Sequence, residues 1–507
     1  MRKLFRIIVW LLFIGAFSIS NGQDITNPEI YPEKKYILNW LNKFSVFEKY
    51  GKISDAIWSY AELGLQEYRS SELLASTLEN EGFTVERNLA GMPTCFVGSY
   101  GTGKPVIGIL AEFDALPGIS QKGMVPRHAP IIEGAPGHGC GHNTMGAAAV
   151  SAAVAVKKAM VKYDIKGTIK LFGSPAEEMV ISRPYMIRAG LFEDVDAVID
   201  NHFSSQFLTS YGTFGNALYS VIFTFKGEAA PGGSSWVGRS ALDAVEIMNV
   251  ATNYLREHLH YTYRMHYVIT EGGEAPNVVP DKASVWYMLR NTDDRIEEMY
   301  QRVVNCAKGA ALSTGTELSE VRVLSAIHQR QQNKAAAELF QKNIELVGMP
   351  EWTEEEQEYA KALQKELGKK EIGMPTAVRP LKKPNTTFVG GGSSDVGDVT
   401  LVAPTTIIRF PGQVPGAINH HWSTVSCAFG SIAWKGLNAG AKAMAASAID
   451  LIIKPEELRK LQVEFEEYQK EHSYIPFLPE YTNPPLELNE ELMNKWRIQM
   501  EKYYQYH

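Results

Sequence analysis

Cysteine is scarce in this chain: four in 507 residues, Cys95, Cys140, Cys306 and Cys427, dispersed and without framework spacing. That excludes a disulfide scaffold. There is no basic excess either. The net charge is −7, so a nucleic-acid partner is not expected. Long apolar runs are missing beyond Ile19, and no stable membrane span is expected there. No internal repeat or low-complexity stretch stands out. A dinucleotide fingerprint is absent, and Gly390-Gly-Gly-Ser-Ser394 lacks the lysine of a phosphate loop, so it reads as a turn.

The N-terminus has the layout of a signal peptide. Arg2, Lys3 and Arg6 precede the apolar run Ile7 to Ile19, and Ser20-Asn-Gly-Gln23 offers a cleavage region. Residues 1–23 are therefore expected to be removed and the chain exported, to a periplasm or to the outside. The remainder, in a chain 45% hydrophobic, can support two or three domains.

Chemistry concentrates in two short clusters. Gly-His-Gly-Cys-Gly-His-Asn, from Gly137 to Asn143, places His138, Cys140 and His142 within five residues. Imidazole and thiolate suit Zn²⁺ or a similar ion, and the glycines let the backbone bend so that the side chains converge. It precedes an alanine-rich stretch, Gly146 to Met160, that reads as a buried helix. The second cluster is Ser174-Pro-Ala-Glu-Glu178, following the strand-like Thr168 to Gly173. A third apolar run, Val106 to Ala111, leads into Glu112 and Asp114, placed on one strand face. Acids, thiol and imidazoles at strand ends match where open α/β sheets bind ligands. They point to a hydrolytic metalloenzyme. A lone Cys–His nucleophile pair, Cys140 with His138 or His142, is the competing reading, and the surrounding carboxylates argue against it.

Helical and strand patterns alternate from Tyr36 to about Tyr211: helices at 54–63 and 70–81, strands near Phe83, Val106, Ile169 and Val198. From Tyr219 the order becomes β-α-β-β-α-β, that of a ferredoxin-like unit, ending near Ile327. The expected architecture is α/β: a larger domain (24–214 and 328–507) interrupted by an inserted α+β domain (215–327). The charged tail after Pro455 reads as packing or a solvated face.

These segments, with Gly238-Arg-Ser-Ala-Leu-Asp-Ala244, Ala275-Pro-Asn-Val-Val-Pro-Asp281 and Ser393-Ser-Asp-Val-Gly-Asp398, resemble the dinuclear metallo-amidohydrolases that include aminoacylases, carboxypeptidase G and auxin-conjugate hydrolases. The resemblance implies that the larger domain is a mixed-sheet metallopeptidase-like catalytic domain and the inserted one a dimerisation or lid domain. It also implies two divalent metal ions, Zn or Mn, ligated by Cys140, His142, Glu178, His202 and a C-terminal His. His420, two residues before Trp422, fits the family pattern better than His421. It further implies Glu177 as general base, Asp114 as the residue that orients the site, and Asn277 and Arg290 as contacts to a substrate carboxylate. The implied substrate is a small-molecule amide, an N-acyl or N-aroyl amino acid of the p-aminobenzoyl-glutamate type. The implied assembly is a homodimer, with a hetero-oligomer with a related subunit as the alternative. One departure is expected to matter. Ala230 stands where relatives carry a lid histidine, and Asn201 replaces a tryptophan, which leaves open a remade pocket or a metal-dependent binding protein with weak turnover. Restoring a histidine at 230 is expected to raise activity on ordinary N-acyl amino acids.

Overall fold

The structure is a computed structural model that describes residues 30–384 and 391–505. The expected signal peptide lies outside the described residues. Among the described residues there are thirteen strands: β1 Thr84–Arg87, β2 Phe96–Thr102, β3 Val106–Ala111, β4 Gly167–Gly173, β5 Ala197–Ser204, β6 Leu208–Thr209, β7 Gly212–Phe214, β8 Ala217–Lys226, β9 Arg264–Glu271, β10 Lys282–Asn291, β11 Glu317–Ile327, β12 Arg330–Gln332 and β13 Thr405–Pro411.

Seven of them form one mixed sheet in the order β1-β2-β4-β3-β5-β13-β6. Its centre, β4-β3-β5-β13, is parallel throughout, and both flanks pair antiparallel. Parallel strands are covered on both faces, which is why Val106–Ala111 is an unbroken apolar run, buried at every residue. One cover is helical: His142–Tyr163 packs on β3 and β4 and against the helix Gly430–Ile453. Both helices are alanine-rich along their contact, which lets their backbones approach. Gly436 shows how close the second comes to the sheet, since a Cβ there would stand 1.5 Å from the Pro411 carbonyl oxygen. His142–Tyr163 is long and apolar enough to cross a membrane, but 83% of its most apolar window is buried in this core.

The second sheet, β11-β8-β10-β9, is antiparallel throughout, with helices Ala241–Leu255 and Asp293–Thr314 packed on it. That order is the ferredoxin-like one expected from the sequence. Between the two sheets the outgoing and returning chain segments pair as β7 and β12, with Thr213 opposite Gln331.

Local boundaries differ from those the sequence pattern suggests. The first long helices run Phe44–Tyr60 and Tyr68–Asn80. β3 stops at Ala111, so Glu112 and Asp114 leave the strand end instead of alternating along it. β2 and β13 have no counterpart in the sequence pattern. The tail is packing: Trp496, Met500 and Tyr504 join a cluster with Ala56, Tyr60, Ala115 and Ala135. The four cysteines are free.

Candidate metal centre

The carboxyl ends of β3, β4, β5 and β13 deliver the site. Gly141, in the left-handed region at φ 79°, turns the chain from Cys140 into the helix that begins at His142. Across from it, β4 runs into the tight turn Glu177–Met179, flanked by Ala176 at φ 56° and Val180 at φ 54°. A β-branched residue in that region is strained, and strain of this kind collects where side chains must be aimed. The turn is anchored by Glu67, whose carboxylate accepts from the Ala176 N–H at 2.8 Å and from the Thr94 hydroxyl at 2.9 Å. Burial pushes the Glu67 carboxyl up to about 8.

Three groups of donors come together. Cys140, His142 and His202 form one; Cys140, Glu178 and His420 the second; Glu112, His142 and Glu177 the third, each with its ligand atoms within 4.8 Å of one another. Cys140 Sγ lies 3.4 Å from His202 Nε2, and His420 Nε2 lies 3.2 Å from Glu178 Oε2. Asp114 accepts from His142 Nδ1 at 2.8 Å and, through its other oxygen, from the Glu178 N–H at 2.9 Å. His142 Nε2 then faces Glu112 at 3.3 Å, Glu177 at 3.8 Å and Glu178 at 3.9 Å.

The electrostatics suit a cation. Burial opposes charge on Asp114, yet the adjacent His142 holds it below the ordinary carboxylate range. Burial likewise opposes charge on His142, but Asp114, Cys140 and Glu178 keep its proton affinity well above normal. Burial pushes Glu178 up to about 8 and Cys140 up to about 12, while it pulls His202 well below its usual value. Unaided, burial thus keeps the Cys140 thiol neutral and pulls His138 down to about 3, which weighs against the cysteine-nucleophile reading. The residues fit a metal: His142 Nε2, Glu178 Oε1 and Glu112 Oε2 are buried, have no hydrogen-bond partner and converge.

His138 and His421 are outside these groups. His138 Nε2 bonds the Ile57 carbonyl at 3.0 Å, and His421 caps the helix Trp422–Cys427 with its ring nitrogen near Ser423. Of the two C-terminal histidines, His420 is the one beside Glu178. Asn277 is exposed in the segment joining β9 and β10, where its carbonyl accepts from the Gly232 N–H. Arg290, at the end of β10, donates from Nε to Ser393 at 3.2 Å. Ala230 is buried, its methyl 2.8 Å from where a Cβ on Gly238 would stand, so a larger side chain at 230 presses on that turn. Asn201 is buried, its amide donating to the Leu110 carbonyl at 2.8 Å.

Sequence reasoning missed Arg183, Glu67 and Arg409. Arg183 is wholly buried, and its guanidinium spans Glu112 and Asp395 at 2.8 and 2.6 Å. Arg409 sits on β13 directly opposite His202 in register.

Residues 108–446 match peptidase family M20/M25/M40. The chain is also 36% identical over 465 residues to one of the subunits of p-aminobenzoyl-glutamate hydrolase from Escherichia coli (strain K12), covering 86% of this chain and 96% of that one. The chain belongs to the M20/M25/M40 family. As a family member it is a hydrolase of amide bonds, and a metal-dependent one. It is 27% identical to the Xaa-Arg dipeptidase of Mus musculus over 440 residues, 82% of this chain and 89% of the relative. Two solved M20-type structures share the fold. An aminobenzoyl-glutamate utilization protein from Klebsiella pneumoniae aligns with TM-score 0.56 at 16% identity, over 81% of this chain and 97% of that one. A dinuclear metal-binding peptidase from Bacillus subtilis aligns with TM-score 0.51 at 16% identity, over 81% and 99%.

Proposed function

We propose that this M20 hydrolase cleaves the amide bond of N-acyl or N-aroyl amino acids, p-aminobenzoyl-glutamate among them, using two divalent ions, Zn or Mn. The observation that carries the reading is the pair of donor groups that share Cys140: His142 and His202 on one side, Glu178 and His420 on the other. Ions bound there would lower the pKa of a water between them and polarise the scissile carbonyl.

The protein's own residues do the rest. Asp114 fixes the His142 tautomer by accepting at Nδ1, which leaves Nε2 free to donate its lone pair. The same carboxylate ties down the backbone of Glu178, so one residue aligns donors from two strands. Glu177, adjacent but outside the five-residue set, is placed to take a proton from water and pass it to the leaving amine. An amino acid product carries a carboxylate, and Arg290 and Arg409 make no ion pair among the described residues. Both are candidates to receive that charge, and Asn277 is a third polar candidate.

Turnover of a panel of N-acyl amino acids, N-aroyl amino acids and dipeptides, with and without chelator, tests the proposal. Chelator-sensitive release of free amino acid supports it; release that survives complete metal removal contradicts it. We further propose an exported homodimer joined through the second sheet. The relatives include two different kinds of p-aminobenzoyl-glutamate hydrolase subunit, which keeps a mixed oligomer as the alternative.

A further inference from the structure

His420 differs from the other four donors in how it is held. Cys140 and His142 flank the start of a buried helix, His202 is on β5, and Glu178 is in the tight turn after β4. His420 comes from a loop that leaves β13 at Pro411. Its side chain is 58% exposed and its backbone is left-handed, at φ 58°. A non-glycine residue stays in that region only where its surroundings hold it. Gln413, 7% exposed, is where the holding contacts meet. Its backbone N–H donates to the Ser204 carbonyl at 3.0 Å, at the end of the strand that carries His202. Its side-chain amide donates to Asn419 Oδ1 at 2.5 Å, to the Thr424 hydroxyl at 3.0 Å and, more distantly, to the Ala417 carbonyl at 3.5 Å. Thr424 is fully buried and passes the contact on, donating to the Ile418 carbonyl at 2.7 Å, while Ser423 Oγ accepts from the Ile418 N–H at 3.0 Å. The His420 N–H donates to the Gly139 carbonyl at 2.9 Å, next to Cys140.

We propose that Gln413 is a positioning residue of the metal centre: through Asn419 and Thr424 it holds the loop that aims His420 at the ion shared with Cys140 and Glu178. The inference rests on the two-metal reading above. The amide grips the chain on both sides of His420, at Asn419 before it and Thr424 after it. The backbone bond to Ser204 ties the same residue to the strand that bears His202. One side chain thus sets the exposed, loop-borne ligand against a strand-borne one, as outer partners of a metal site fix the direction of its ligands. Without the amide, His420 is free to turn toward solvent, whereas Cys140, His142 and His202 keep the positions their strand and helix give them. The loss therefore falls on one ion.

The test uses Gln413→Leu, which keeps the bulk and removes the donor, Thr424→Val, which removes the hydroxyl, and Thr424→Ser, which retains it. Metal content is measured by mass spectrometry after dialysis against graded chelator. Circular dichroism and melting of the metal-free proteins check the fold. The expected result is two ions per wild-type chain, with affinity for one of them lowered about 10-fold or more in Gln413→Leu and Thr424→Val. The other ion should be unaffected, and Thr424→Ser should behave as wild type. A merely structural role would lower melting of the metal-free protein and weaken both ions alike, and that result overturns the inference. Wild-type affinity for both ions in a folded Gln413→Leu also overturns it, and leaves the two-metal reading standing. A wild-type chain that binds fewer than two ions overturns both. Should Gln413→Leu not fold, the comparison of Thr424→Val with Thr424→Ser decides by the same outcomes.

Discussion

Asp114 joins His142 to Glu178: one oxygen accepts from the imidazole Nδ1 at 2.8 Å, the other from the Glu178 backbone N–H at 2.9 Å. A single buried carboxylate thus sets both the tautomer of one donor and the place of another. Asp114→Asn must offer an amide N–H to one of two partners that are themselves donors. The expected outcome is a roughly 10–100-fold loss of metal affinity, with activity falling in step, measured by chelator competition. Wild-type affinity in Asp114→Asn would show that the carboxylate is dispensable for alignment.

Glu177→Gln separates proton transfer from metal binding. It should retain both ions while turnover falls about 10²–10⁴-fold. Loss of metal along with activity would make Glu177 a ligand and exchange the roles of the two glutamates.

The site was legible where its donors are local. Cys140 and His142 sit two residues apart between glycines, and Glu177 and Glu178 follow a buried strand, so their convergence at one sheet edge could be argued from pattern. Fold class was legible for the same reason: strand and helix periods alternate, then change to the ferredoxin-like order at Tyr219. Arg183 was not legible. It lies in the short helix Ser182–Arg188, where an arginine reads as surface, and its partners are 71 and 212 residues away in sequence. β13 was missed although Thr405-Thr-Ile-Ile carries the β-branched signature, because Arg409 breaks the apolar run. That arginine is half-buried, opposite His202 in register, and the Asp200 carboxylate supplies the attraction that offsets its charge. Asn277, by contrast, shows among the described residues a backbone hydrogen bond from Gly232 and is in none of the three donor groups.

Asp55 gives a pH dependence outside the metal site. It is 2% exposed, its carboxylate accepts from the Gly430 N–H, and burial pushes it up to about 7 from an ordinary value of 3.8. The folded state therefore holds a proton that the unfolded chain releases. Its stabilising share is present below pH ~4 and is lost as pH rises toward 7. Asp55→Asn keeps the acceptor without the charge and should raise the melting temperature at pH 8 but not at pH 4. Equal shifts at both pH values would contradict the assignment.

Trp496 fixes the tail against the loops that flank the site. It is 8% exposed and packs with Ala56, Tyr60, Ala115 and Ala135. Trp496→Ala should cost about 3–5 kcal/mol in denaturant unfolding. Ile498→Ala, at a side chain 80% exposed in the same helix, should stay within about 0.5 kcal/mol.

The most direct measurement is the metal content of the purified chain, followed by hydrolysis of p-aminobenzoyl-glutamate after stripping and reloading. The account predicts two ions per chain, activity lost on complete removal and restored when Zn²⁺ or Mn²⁺ is returned. A chain that binds no ion, or that hydrolyses the amide equally well when stripped, would contradict it.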